Sequence, residues 1–416
     1  MWRHAFPAGM LFYEVHSIRY KFISVQTHLS TPYKTWLPDF IPFLSPKRSK
    51  VLKSPSQDNI KDILRSCLAV GLNHFETARF YGTSEYQLVE ALYELIQSGE
   101  IKREDFIFQT KVGPTKTRED FEKAFMQSWD NIGTKLGYID LLAIHGIGMP
   151  SELSIMEGTD TFMDAAMKYK EEKKVHFVGF STHGSAETIM KLISSNKFDF
   201  VNLHCHFFGS YHAEGTPDTM GGYGNVACVK KALELDMGLF CISPFDKGGK
   251  LYQPSKKVAS AIGPKLSPIA FASLYDWKTL GFHTISVGLG RPSDLDEVLR
   301  AAELYAADDV SEMSDASNRL AKLKEKHLGE EWIRTEYENI PTCWESSSGG
   351  VGISHLLWLH DLLSAYGMYD FCKERYNSCE AMTKKWDTTK SVEENSMAIM
   401  YVLSLFLSHH IYSFSP

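Results

Sequence analysis

Short apolar runs alternate with amphipathic helical stretches, ionisable residues gather at the C-terminal ends of those runs, and no glycine-rich turn follows the first of them. Together these features predict an α/β fold of the (β/α)8, or TIM-barrel, type. The runs are LNHFE (72 to 76), FIFQTK (106 to 111), YIDLLAIH (138 to 145), VHFVGFS (175 to 181), DFVNLHC (199 to 205), GLFCISP (238 to 244) and HTISVG (283 to 288). Between them, stretches such as 84 to 98, 118 to 136 and 294 to 306 are long enough for crossover helices, and strands joined by helices pair in parallel. An open doubly wound sheet would call for a GxGxxG turn after its first strand; GLG at 288 to 290 and GGYG at 221 to 224 are too short to serve. Glu76, Lys111, His145 and Ser181 instead sit at the ends of four different runs, where a barrel collects its chemistry.

Seven runs leave an eighth strand owed ahead of the helix NIKDILRSCLAVG (59 to 71). The segment just before that helix is polar and broken by proline, a poor inner strand. LFYEVHSIRYKFISV (11 to 25), rich in β-branched and aromatic residues, is the better candidate, though far from the helix. Three parts are therefore expected: an atypical N-terminal segment (1 to 54), the barrel (55 to 305) and a helical C-terminal extension with an apolar tail (306 to 416).

Composition narrows the function. The chain has 416 residues, 44% hydrophobic and 23% charged, with a net charge of −7 that forms no basic footprint for nucleic acid and no polybasic membrane patch. The tail MAIMYVLSLFL (397 to 407) is about half the ~20 residues that a membrane helix needs. Seven cysteines, an odd number with no CxxC, argue against a disulfide framework and point to a reducing, cytoplasmic setting. In LHCHF, His204 and His206 flank Cys205, but i and i+2 share one face of a strand with no third ligand specified, so no metal is expected.

Glu76 with Tyr81, Lys111 and His145 form a set whose chemistry is readable directly. A free phenol titrates near pH 10, so tyrosine donates a proton to a developing alkoxide at neutral pH only if something stabilises the phenolate. A lysine ammonium does that, a carboxylate behind it keeps it charged and oriented, and a histidine positions a carbonyl. The bland alternative is a strand-end aromatic at Tyr81 and a Glu76 that merely pairs with Arg79 or a neighbouring helix.

In these residues the chain resembles the aldo-keto reductases over roughly residues 55 to 305. ETARFYG matches the family motif Asp-x-Ala-x-x-Tyr-Gly, with Tyr81 as proton donor and Glu76 in the aspartate place; Lys111 in FIFQTKVG matches the family lysine and His145 in YIDLLAIHG the family histidine. The resemblance implies a hydride transfer between NADP and an aldehyde or ketone. It further implies cofactor contacts at Ser181 and Thr182, where the family has Ser-Asn, and at Asn202, near the family's amide-binding glutamine. Ser243, Lys247 and Gly248 would meet the pyrophosphate. Gly288 and Arg291 would lie in the last phosphate loop, Arg291 pairing with a 2′-phosphate and Asp294 and Glu297 facing the adenine.

His183 and His212 line the pocket mouth or stand in solvated loops, and the glycine-rich loop 207 to 225 is a lid or an ordinary surface loop. The region from Lys326 onward resembles the helical extension of a subset of these reductases, several of which hold an iron–sulfur cluster. Cys343, Cys372 and Cys379 fall short of four thiolates, so none is expected. The rival reading is a nicotinamide-binding regulatory or scaffold protein with little turnover.

Overall fold

A computed structural model of the chain describes residues 23–27, 55–148, 150–209, 225–245, 251, 253–335 and 353–373. Eight parallel strands close into a barrel in chain order: β1 (Ile23–Thr27), β2 (His74–Glu76), β3 (Ile107–Val112), β4 (Ile139–Ile144), β5 (Val175–Thr182), β6 (Phe200–Leu203), β7 (Gly238–Ile242) and β8 (Thr284–Leu289). The owed strand is the end of the β-branched run 11 to 25, carried two residues further. β1 pairs with β8 from Ile23↔Ile285 to Thr27↔Leu289 and with β2 at Gln26↔Glu76, which leaves no open edge. The barrel thus draws its first strand from within the segment 1 to 54, ahead of the boundary expected at residue 55.

A ring of helices surrounds the strands: α1 (Pro55–Ala69), α2 (Ser84–Gln97), α3 (Arg118–Leu136), α4 (Pro150–Glu157), α5 (Phe162–Glu171), α6 (Ala186–Ser194), α7 (Asn225–Glu234), α8 (Lys256–Ile262), α9 (Pro268–Tyr275) and α10 (Asp296–Ala306). Their starts are set by local chemistry. Thr117, Ser185, Ser255 and Ser267 each accept a backbone N–H of the helix they precede, and Pro268 opens α9 where no N–H partner is needed.

Alternation along each strand sorts the side chains. One parity faces the helices and joins the main core, as with Phe75, Phe108, Leu142 and Val201; the other faces the barrel axis. The lowest inward layer is apolar, with Leu141, Ala143, Phe200 and Phe240 buried together and Ile107 and Phe177 against them. Gly179 makes this layer possible, since a Cβ there would stand 2.4 Å from the Phe200 ring. Below it, Arg103 ties the lower rim: it donates to the carbonyls of Leu136, Phe106 and Tyr138, pairs with Asp140 at 2.6 Å and stacks 3.7 Å over the Tyr138 ring.

After the barrel come α11 (Ser311–Leu328), α12 (Glu330–Thr335) and α13 (Ile353–Tyr366). Leu357, Trp358, Leu362, Ala365 and Tyr366 of α13 are buried in the same core as the barrel helices. One carboxylate oxygen of Asp361 on α13 is engaged inside this packing: it accepts from Trp332 Nε1 at 2.8 Å and lies 3.1 Å from His360 Nδ1. Ser255 donates to the Tyr366 carbonyl, closing the end of α13 onto the start of α8. Among the described residues no helix is long and apolar enough to cross a membrane; the apolar tail 397 to 407 lies outside them, as do Cys343 and Cys379.

Gly179→Ala is expected to force the Phe200 ring aside and to lower stability by about 1–3 kcal/mol, seen as a reduced urea midpoint at unchanged slope.

Candidate active site

The upper inward layers of the barrel are polar. Two positions above the apolar layer on β3 stands Gln109, and two further on, Lys111; β2 contributes His74 and then Glu76, β6 Asn202, and β8 Ser286. All six are buried. Lys111 Nζ donates to Glu76 Oε1 at 3.3 Å and to the Thr77 carbonyl at 3.1 Å. Glu76 Oε2 accepts from Ser286 Oγ at 3.1 Å and from Asn202 Nδ2 at 3.5 Å. Glu76 is therefore a partner of Lys111; Arg79 points elsewhere, to Gln127.

Burial works against both charges, and the pair restores them. Desolvation, the largest influence, would push the Glu76 carboxyl up, but the Lys111 ammonium, His74 and the Ser286 hydroxyl together hold it below its usual value. Desolvation also opposes the Lys111 charge, yet Glu76 and then Tyr81 keep its pKa above that of a free lysine. Both shifts favour the ionised pair.

Tyr81 is delivered to this pair by two successive turns. Its N–H donates to the Ala78 carbonyl and its own carbonyl accepts from Ser84 N, both at 3.0 Å, while Thr77 and Ser84 hydroxyls meet at 2.9 Å below. Gly82 follows at φ +59°, a backbone that favours glycine, and leads into α2. Half-buried Tyr81 has its ring centroid 5.4 Å from Lys111 Nζ and 5.5 Å from the His145 imidazole, edge to face. His145 is fixed at the end of β4 by its N–H to the Val112 carbonyl, 2.8 Å. Beside it Phe80, 68% exposed, presents its ring to solvent at the mouth, 6.0 Å from His145.

The other expected residues divide by location. Ser181 and Thr182 end β5; Ser181 Oγ accepts from Gly146 N at 3.0 Å and Thr182 Oγ1 from Gly184 N at 3.1 Å. The loops after β4 and β5 touch at Gly148 and Gly184, where a Cβ on Gly184 would lie 2.7 Å from Gly148 Cα. Ser243 follows β7 with φ 56°. Gly288 is exposed on β8, and Arg291 Nε pairs with Asp294 Oδ1 at 2.9 Å, with Asp294 also accepting the N–H groups of Gly290 and Arg291. Glu297 is exposed on the first turn of α10. Asn202 lies deep in the barrel with its amide shared between Glu76 and Gln109. Lys247, Gly248, His212 and most of the loop 207 to 225 lie outside the described residues.

The LHCHF histidines are bound into the exit of β6. His206 Nδ1 accepts from Phe208 N at 3.2 Å, so Nε2 carries its proton and donates to His204 Nε2 at 3.1 Å. Burial lowers the His206 pKa to about 3, consistent with a neutral His206. The Phe208 carbonyl accepts from Trp358 Nε1 at 2.7 Å, so α13 holds this exit. His204 in turn faces the His183 ring at 6.1 Å. Among the described residues no group of three or more His, Cys, Asp or Glu could hold a metal ion. Cys67, Cys205, Cys228, Cys241 and Cys372 are free thiols.

The sequence reading missed His74, Gln109 and Ser286. Strand parity was the available signal, since each lies an even number of residues from an inward-facing neighbour: His74 from Glu76, Gln109 from Lys111, Ser286 from Gly288.

Residues 47–316 match the model of the aldo/keto reductase family. The chain belongs to that family, whose members are oxidoreductases of carbonyl compounds. Among curated proteins it is 30% identical over 153 residues to rhazimal reductase 2 of Alstonia scholaris, covering 36% of this chain and 43% of that protein. It is 28% identical over 108 residues to aldo-keto reductase family 1 member C21 of Mus musculus, covering 26% of this chain and 32% of that protein. The matched region thus spans less than half the length of these curated relatives. Among solved structures it resembles aldose reductase from Giardia lamblia, at 18% identity and TM-score 0.47, covering 73% of this chain and 93% of that one. A holo-form aldo-keto reductase from Bacillus halodurans matches at 17% and 0.47, covering 62% and 86%.

Lys111→Met is expected to leave a buried carboxylate unpaired and to cost about 3–5 kcal/mol near neutral pH. The sign of the pH dependence should invert. In the wild type the depressed Glu76 pKa gives stability above the unfolded value that is lost on acidification. In the variant the carboxyl is raised, so the deficit should shrink as the pH falls towards 5, measured by urea unfolding at two pH values.

Proposed function

We propose that this chain is an NADP-dependent carbonyl reductase in which Tyr81 is the proton donor. The observation that carries the reading is the ammonium of Lys111, held charged by Glu76 in a dry interior and set 5.4 Å from the Tyr81 ring. NADPH, when bound, supplies the hydride that the carbonyl carbon receives. Tyr81 gives its phenolic proton to the carbonyl oxygen, and the Lys111 charge stabilises the phenolate left behind. Glu76 keeps Lys111 ionised and aimed. His145, at the edge of the Tyr81 ring, orients the carbonyl by a hydrogen bond. Half-buried Tyr81 regains its proton from water at the mouth, and the reverse sequence oxidises an alcohol. The exposed ring of Phe80 beside His145 suits an aldehyde or ketone with apolar flanks.

The donor set around the rim fits a dinucleotide phosphate. Arg291, with a side chain 75% exposed, stands at the end of β8 just before the first turns leading into α10, which suits a 2′-phosphate. Ser243, in a left-handed backbone at the end of β7, would meet the pyrophosphate, and Ser181 and Thr182 would border the nicotinamide. Asp294 already engages Arg291, so a bound 2′-phosphate would share or displace that carboxylate. Lys247, Gly248, Gly288 and Glu297 complete the proposed cofactor set.

Two measurements test this reading. Tyr81→Phe should reduce NADPH-dependent turnover of an aldehyde panel by about 100-fold or more while leaving NADPH binding, followed by fluorescence, intact. Binding with no Tyr81-dependent turnover would favour the regulatory alternative, and absent binding would exclude both. Arg291→Ala should weaken NADPH binding by about tenfold or more and leave NADH binding nearly unchanged, as loss of one charge-assisted phosphate contact predicts.

A further inference from the structure

Four hydrogen bonds in the barrel interior run in one direction. Gln109 Oε1 is a carbonyl, so the His74 Nε2–H donates to it, 3.0 Å. Gln109 Nε2 donates to Asn202 Oδ1 at 2.9 Å, and Asn202 Nδ2 to Glu76 Oε2 at 3.5 Å, the longest link. Ser286 Oγ joins at the same oxygen, 3.1 Å, and Lys111 Nζ approaches the other. Among the described residues, every side chain hydrogen-bonded to Glu76 therefore donates to it. A carboxylate at Glu76 accepts all three as they stand, whereas a protonated Glu76 would need an acceptor, which among them only the Ser286 hydroxyl, by reversing its bond, could provide.

We propose that Gln109, Asn202 and Ser286 are positioning residues that hold Glu76 as a carboxylate aimed at Lys111, and that the barrel is built for glutamate at this position. The proposal rests on the reductase reading above. The glutamate is one methylene longer than the family aspartate, and the structure gives that length a use: Oε1 reaches the lysine while Oε2 reaches across the axis to β6 and β8. Shortening the side chain withdraws both oxygens at once and leaves Asn202 and Ser286 donors buried without an acceptor. The titratable groups around Glu76 are Lys111 on β3, His74 two residues earlier on β2, Tyr81 beyond the lysine and His145 beyond the tyrosine. β6 and β8 contribute the neutral Asn202 and Ser286, and β1 places Gln26 in register with Glu76. His74 is kept neutral by burial, with a pKa lowered to about 4 despite Glu76, and Asp140 acts on it from below.

The test uses Ser286→Ala, Asn202→Leu, Gln109→Leu and Glu76→Asp, with Ser286→Thr as the variant that keeps the hydroxyl. Two readouts are followed: the pH profile of NADPH-dependent reduction, and the titration of Lys111 Nζ by NMR in the cofactor-free protein. Ser286→Ala and Asn202→Leu should move the acid limb up by about one pH unit and the Lys111 titration down by a similar amount. Gln109→Leu should shift both less and in the same sense, and Ser286→Thr should restore both. Glu76→Asp should lower kcat by about tenfold to 100-fold, as a displacement of about 1 Å predicts. Superimposable profiles and Lys111 titrations across folded variants would overturn the proposal, as would a Glu76→Asp enzyme as fast as the wild type. Should Asn202→Leu fail to fold, the Ser286 pair decides. If the wild type shows no Tyr81-dependent turnover, the reductase reading fails and the NMR titration alone judges the positioning role.

Discussion

A lysine charge kept away from water is the constraint that the barrel must satisfy. Taking an ammonium and a carboxylate out of solvent costs several kcal/mol each, and their attraction offsets that only when the remaining hydrogen-bonding capacity is met. Here the Thr77 carbonyl takes a second N–H of the lysine, and the Ser286 hydroxyl and Asn202 amide donate to the second oxygen of the glutamate. Closure of the sheet by β1 matters for the same reason, because it seals the seam between β2 and β8 that flanks this pair. The apolar layer of Leu141, Phe200 and Phe240 stops the interior from below, so among the described residues the site opens towards the mouth.

Much of this was legible in the sequence, for identifiable reasons. Seven strands declared themselves because parallel strands covered on both faces read as continuous apolar runs, as in the fully buried IDLLAI of β4. The helices 84 to 98 and 118 to 136 followed from their amphipathic period and their length. Tyr81, Lys111 and His145 were visible because strand ends are where a polar residue after an apolar run stands out. The first strand was harder: its strand-forming run extends well upstream, and only pairing with β8 fixes which five residues enter the sheet.

Parity turns Ser286 and Gln109 inward, but what they meet was not legible, since these partners lie 210 and 93 residues away and nothing local marks the meeting. Asn202 shows a related limit. Its parity places it inside the barrel, but its height along the axis depends on the stagger of neighbouring strands, which no single run reveals. It stands one layer below the mouth, within reach of Glu76. The extension posed the opposite case. Its helices were plain from composition, while their attachment through the Trp358 indole to the Phe208 carbonyl required the three-dimensional packing.

The contact between Gly148 and Gly184 sets how this mouth can be remodelled. Two bare backbones at van der Waals contact leave no space for any side chain, so the β4–β5 quarter of the rim is a fixed wall. An engineer seeking altered substrate preference has room instead around the solvent-facing ring of Phe80 beside His145, where a bulkier or smaller group changes the opening without moving a strand.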